Sequence, residues 1–211
     1  MKLTPIFLDL ETYWSATHSL SKMNPIAYCR HKDTEVISCA IKIGKEGFTE
    51  VIFGESNIAV RLQQIDWSDK LAIAHKMSGF DAMLFAWRFG VRPRMWGCTL
   101  AMARPKHNLT VGGSLAALVK HYGLGVKDNT VLLNTKGRYL HEFSEDELIA
   151  MRKYNAEDTE QCAGLFYKLL PDTTQREMRL IDMTIRMLVE PEFEVDKELL
   201  LTVLGEEKLR M

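Results

Sequence analysis

Apolar and polar positions along this chain of 211 residues change period several times, and each change marks an element. The stretch IFLDLET (6–12) opens with three consecutive apolar side chains behind Pro5 and reads as a buried strand. Residues 13–34 lose all periodicity, a long polar excursion that carries Tyr13, Trp14, Tyr28 and His31. EVISCAIKIG (35–44) and FTEVIFG (48–54) then read as two strands joined by a turn at Gly44–Gly47, a hairpin beside the first strand. AVRLQQI (59–65) predicts a short helix and KLAIAHK (70–76) another strand. GFDAMLFAWRFG (79–90) recurs at helical spacing up to Gly90. MWGCT (95–99) is extended, and SLAALVKHYG (114–123) is an amphipathic helix with Ser114 as cap and Gly123 at its end. Residues 125–143 read as loop. Ser144 and Glu147 form a capping-box pattern opening a helix over 145–170 that stops at Pro171. A last amphipathic helix covers 174–190, and another begins at Asp196. The chain stops inside that helical pattern, which reads as a cut.

Strands first, a hairpin, then alternating helices and strands predict a mixed α/β sheet with helices on its faces. A hydrophobic share of 46% and a charged share of 26% are those of an ordinary globular domain, and a net charge of -1 identifies no partner. Local charge says more. No acid lies between Asp81 and Asp128, whereas Arg88, Arg92, Arg94, Arg104, Lys106, Lys120 and Lys127 all do. That asymmetry either gives one side a potential suited to a polyanion or consists of solvated charges scattered over several helices. The four cysteines (29, 39, 98 and 162) show neither CxxC pairs nor zinc spacing. They imply a reducing, cytoplasmic setting without disulfides. No apolar run reaches the length of a membrane span, so no membrane partner is expected.

Candidate chemistry starts with Asp9 and Glu11. In a strand they point the same way, and two like charges on one buried face need a cation between them. The other reading is a strand end emerging into water. Asp81 stands at the start of a helix just after the 70–76 strand, and Tyr154 and Asp158 sit four apart on one helix face. Alone, each is also compatible with an ordinary surface charge. Phe80, Phe85, Trp87 and Phe89 recur on one helix as core.

Together, FLDLET, AHKMSGFDAMLF and MRKYNAEDTEQC resemble, in order, the three motifs of the DEDD 3′–5′ exonucleases, tyrosine branch. The resemblance is most specific to the proofreading exonuclease domain of bacteriophage-type family A DNA polymerases. It runs on through YCRHKDTEVISCAIK, MWGCTLAMAR and VGGSLAALVKHYGL, and EMRLIDMTIRMLVEPEFEVDKELL looks like the lead into a polymerase portion. It implies an RNase H-like (DnaQ-like) fold, with an exonuclease domain over 1–171 and a helical lead over 172–211. Two Mg²⁺ (or Mn²⁺) ions are implied as cofactors, suited to oxygen ligands rather than His or Cys. By resemblance Asp9 bridges both ions, Glu11 and Asp158 hold the one that activates water, and Asp81 supports the other. Tyr154, a poor base at neutral pH, aims the attacking water.

The same resemblance implies a single-stranded or frayed DNA 3′ end as substrate, met by Thr12, Tyr13, Trp14, His75 and Lys76. Lys76 stands where the family usually has Asn, and a lysine there suits phosphate. Asn155 stands where Cys is commoner, a change expected to be neutral. Two alternatives share the motifs: an RNase D-like RNA 3′-end exonuclease and a catalytically silent DNA-binding scaffold. The stripe Met178, Ile181, Ile185 and Leu188 is expected to pack weakly on the nuclease core. It would await a polymerase portion of the same or a companion chain, or promote self-association through 174–211.

Overall fold

A computed structural model describes residues 3–126 and 135–210. Part of the loop expected over 125–143, and Lys127, lie outside the described residues.

Five strands form one sheet: β1 (Thr4–Thr12), β2 (Val36–Ile43), β3 (Thr49–Phe53), β4 (Lys70–Ala74) and β5 (Met95–Cys98), in the order β3-β2-β1-β4-β5. β1 is central, antiparallel to β2 and parallel to β4. Its alternation divides the core. Ile6, Leu8 and Leu10 join the cluster under α1 (Pro25–Arg30), α2 (Glu55–Gln63) and α3 (Asp81–Met83, continued by a π-helical turn Leu84–Arg88). Phe7 joins the opposite cluster with α4 (Thr99–His107), α5 (Leu115–His121) and α6 (Glu145–Leu169). Asp9 and Glu11 share the Phe7 face, since successive strand residues alternate.

Several elements depart from the sequence reading. The excursion at 13–34 contains α1, started by Pro25 behind Asn24, whose side chain accepts from Ile26 N. Helix α2 begins earlier, at Glu55, and α4 follows β5 directly; neither start was foreseen. The fourth strand ends at Ala74 rather than residue 76. His75 and Lys76 lie in the turn beyond it, with Lys76 in the left-handed region at φ 67°. The capping box of Ser144 is present as expected, and Thr174 forms a second one that the sequence reading did not include.

The larger correction concerns the tail. Helix α7 (Gln175–Val189) is seated firmly on β5. Met178, Ile185 and Val189 are buried, with Val189 taking the place expected of Leu188, which is 39% exposed. Asp182 Oδ1 accepts from Trp96 N of the edge strand at 2.8 Å, and Trp87 Nε1 donates to Val189 O at 3.0 Å. An amphipathic helix covering an open sheet edge needs no outside partner for its buried stripe. Helix α8 (Lys197–Arg210), by contrast, buries nothing. Any self-association through 174–211 has two apolar surfaces left to use: α8, with Leu199, Leu200 and Leu204 exposed, and the outer face of α7, with Leu180, Met183 and Met187 exposed.

All four cysteines are free and buried. Among the described residues, no helix is long and apolar enough to cross a membrane.

Candidate active site

Helix α6 lies across β1 and β2 on the Phe7 face and meets the sheet through Met151, Tyr154, Asn155, Asp158, Thr159 and Cys162, a three-to-four spacing. That geometry brings Asp158 over the strand acids. Carboxylate oxygens of Asp9, Glu11 and Asp158 all lie within 4.8 Å of one another, across 150 residues of sequence. Asp9 and Glu11 are half-buried and Asp158 is buried. Three converging anionic oxygens suit a hard divalent cation, and the cluster holds no His or Cys to favour zinc. Burial pushes the nearby Cys39 and Cys162 thiols upward, so thiolate chemistry is not on offer here.

Asp81 is not one of the three, but it is buried and feels Asp9. Burial first, then repulsion from Asp9, pushes its carboxyl well above the usual carboxylate range, while Lys76 pulls the other way. Tyr154 is buried one helical turn before Asp158 and hydrogen-bonds to it. Burial, then the charges of Glu11 and Asp158, raise the phenol far above its ordinary value. It stays protonated, so it cannot act as a base; its proton goes to Asp158 and its oxygen is left to accept a hydrogen bond.

The proposed substrate contacts divide. Thr12 Oγ1 is engaged with Tyr28 OH at 2.8 Å. Tyr13 stacks on Tyr139 (centroids 4.3 Å apart, 9° between planes), with His18 at 5.7 Å. Trp14 Nε1 donates to Thr135 Oγ1 at 3.0 Å, and Lys136 lies over its ring. His75 contacts Thr99 Oγ1 at 2.9 Å through Nδ1 and Gly113 O at 3.0 Å through Nε2. A carbonyl only accepts, so Nε2 carries the proton and a neutral ring takes Thr99's hydroxyl proton at Nδ1. These four side chains are committed to the chain's own contacts. Lys76 is exposed beside Asp81.

The basic stretch is likewise partly consumed. Arg88 donates to Glu55, Thr34 O and Cys29 O; Arg92 to Ala86 O and Val91 O; Lys106 to Asp172. Arg94, Arg104 and Lys120 are exposed.

One site residue was underrated from sequence. Asn155, wholly buried, donates from Nδ2 to Asp9 Oδ2 at 2.6 Å and accepts from Ser38 Oγ at 3.3 Å. A polar residue on the sheet-facing stripe of α6 was the available signal.

No protein family and no curated protein matches this chain by sequence. Solved structures do match in fold. Brucella melitensis NrnC with bound Mg²⁺ superposes with a TM-score of 0.62 at 16% identity, over 92% of this chain and 90% of NrnC. A further NrnC structure is bound to pGG. The catalytic core of RRP6 from Trypanosoma brucei gives 0.61 at 14% identity, over 91% of this chain and 49% of that one. Escherichia coli RNase D, an exoribonuclease involved in structured RNA processing, gives 0.55 at 17%, over 86% and 45%. The mixed five-stranded sheet with flanking helices is thus the RNase H-like fold of DEDD exonucleases. The acid cluster, in the fold of an Mg²⁺-bound neighbour, fits a divalent-metal site.

Proposed function

We propose that this chain is a divalent-metal-dependent 3′–5′ exonuclease acting on single-stranded RNA 3′ ends. The observation that supports it is the convergence of Asp9, Glu11 and Asp158, with Tyr154 hydrogen-bonded to Asp158 and Asp81 buried beside Asp9. Two Mg²⁺ or Mn²⁺ ions, when bound, supply activation of water and neutralisation of the leaving oxygen. In this reading Asp9, Glu11 and Asp158 hold the cations, and Asp81 adds a carboxylate on the Asp9 side. Tyr154 fixes Asp158 and aims the attacking water by its hydroxyl. Lys76, exposed beside the acids, takes a substrate phosphate. These residues all precede Pro171, so the chemistry is assigned to 1–171, with α7 as a brace on that unit.

RNA is supported over DNA by one of the named neighbours, an exoribonuclease. The DNA-proofreading reading rests on the motif resemblance alone. Nothing in the comparisons supports a polymerase portion, and α7 already has its partner in β5. A silent scaffold would carry three crowded acids with no cation to neutralise them.

The test uses single-stranded RNA and DNA of one sequence, labelled so that shortening from the 3′ end is visible, with Mg²⁺, Mn²⁺ or chelator. Stepwise loss of RNA 3′ nucleotides, faster than of DNA and abolished by chelator, is expected. Preference for DNA returns the reading to proofreading. Metal binding without hydrolysis of either strand makes the domain silent.

A further inference from the structure

Asn155 is fully buried on a helix face otherwise lined at its two ends by Met151 and Cys162. A buried side-chain amide is costly unless each end is hydrogen-bonded, so its partners state its use. Those partners belong to two other elements. Ser38 on β2 is wholly buried and pairs in register with Glu11; Asp9 on β1 lies one position further along the same face. Helix α6 thus reaches down to both site strands through one side chain.

The direction of this chain of bonds is set by chemistry. A carboxylate has no proton to give, so the Asn155 atom 2.6 Å from Asp9 Oδ2 must be the NH₂ group. Its carbonyl oxygen then faces Ser38 Oγ at 3.3 Å and can only accept, which fixes the Ser38 proton as well. Protons run Ser38 to Asn155 to Asp9, with no freedom to reverse. One lone pair of Asp9 Oδ2 is thereby occupied, and rotation of the Asp9 carboxylate about its own axis would break this bond.

We propose that Asn155, oriented by Ser38, is a positioning residue that presents the Asp9 carboxylate to the cation in a single orientation. This rests on the metal-dependent nuclease reading. An acid held in its binding geometry loses less freedom when the cation arrives, so the benefit is in affinity. Hydrogen-bond partners of metal ligands typically cost about 10- to 100-fold in metal affinity or activity when removed.

The experiment is calorimetric titration of Mg²⁺ and Mn²⁺ into the full chain and its variants, each with a thermal melt. Asn155→Leu keeps the bulk and removes the donor; a loss of affinity of about 10- to 100-fold with the fold retained is expected. Ser38→Ala leaves the amide in place but unlatched and should show a smaller loss in the same direction. Thr159→Val is the control. Its hydroxyl donates to Asn155 O, the backbone carbonyl, and lies off the path to Asp9, so affinity should be unchanged. In hydrolysis assays the metal concentration for half-maximal rate should rise in Asn155→Leu by the same factor, with the rate recovering at saturating metal.

Wild-type affinity in folded Asn155→Leu overturns the proposal, as does an equal loss in all three variants, which would mean general loosening. If Asn155→Leu does not fold, Ser38→Ala decides: unchanged affinity there overturns it. A wild-type chain that binds neither ion removes the nuclease reading itself and this proposal with it, an outcome visible before any variant is made.

Discussion

Ending the chain at Pro171 should unfold the domain, whereas ending it at Pro191 should leave the melt unchanged. The first truncation removes Met178, Ile185 and Val189, whose exposures are 7%, 1% and 1%. Burying such side chains contributes about 1.5–3 kcal/mol each, hence roughly 5–9 kcal/mol for the three. Trp96 N, on the edge strand, would also exchange its Asp182 acceptor for water, and a hydrogen bond to a charged group contributes about 1.5–3 kcal/mol. Domains of this kind have about 5–15 kcal/mol in all, so the loss is comparable with the whole. Residues 191–210 are exposed throughout, and surface changes of that sort usually stay within about 0.5 kcal/mol. Circular-dichroism melts and urea titrations of both truncations against the full chain read the difference. A cooperative, wild-type-like transition in the 1–171 protein would refute the argument and restore α7 as a separable lead. Sedimentation of the 1–191 protein adds a second readout: self-association, if carried by α8, disappears with it.

Asp9→Ala should abolish hydrolysis with the fold retained, relief of repulsion among the acids being set against about 1–3 kcal/mol for the Asn155 amide it leaves unpartnered; normal turnover would contradict the site assignment. Tyr154→Phe removes the bond to Asp158, worth about 1.5–3 kcal/mol for a charged acceptor, so the rate should fall about 10- to 150-fold, less than for any acid. Metal affinity near wild type in calorimetry would accompany that fall; a large affinity loss would make Tyr154 a ligand. Glu147 is held down from 4.5 to about 2, first by Arg138 and then by the Ser144 N–H. A depressed carboxyl contributes stability fully present above its ordinary value and lost as pH falls through the folded one. Urea midpoints should therefore drop between about pH 4.5 and 2, and Glu147→Gln should flatten that drop.

The local signals in the sequence carried a long way. Alternation alone placed Asp9 and Glu11 on one face of β1, and the Ser144 capping box located the start of α6 within a residue. The acids could be grouped only through the motif resemblance, since Asp9 and Glu11 lie within β1, Asp81 opens α3 and Asp158 sits in the middle of α6. Helix α4 escaped notice because TLAMARPKH has no clean apolar face and carries Pro105. The roles of Trp14 and Asn155 escaped for a different reason. Their partners, Thr135 and Asp9, lie 121 and 146 residues away, and no local period encodes such contacts. An aromatic beside a motif reads the same whether it meets a base or its own chain. The tail was misjudged for the same cause: an amphipathic stripe announces that it will be covered, not by what.

The acid cluster is mounted on two separate bodies, a strand and a helix, and its spacing is therefore a matter of alignment between them. A slip of one residue along α6 would advance Asp158 by about 1.5 Å and swing it through about 100°. Besides Asn155, the helix is stitched to the sheet by Arg152, donating to Val51 O at 2.6 Å, and by Glu160, paired with Lys42 at 3.0 Å. These stitches bracket Tyr154 and Asp158 on either side, over roughly 12 Å of helix. They work as an index pin, leaving the helix one rung on which to sit. Lys42 and Arg152 thus belong to the calibration of the centre without touching it. Amide exchange in α6 should follow that of β1 as one slow class, and Lys42→Met should speed exchange in α6 while β1 stays slow.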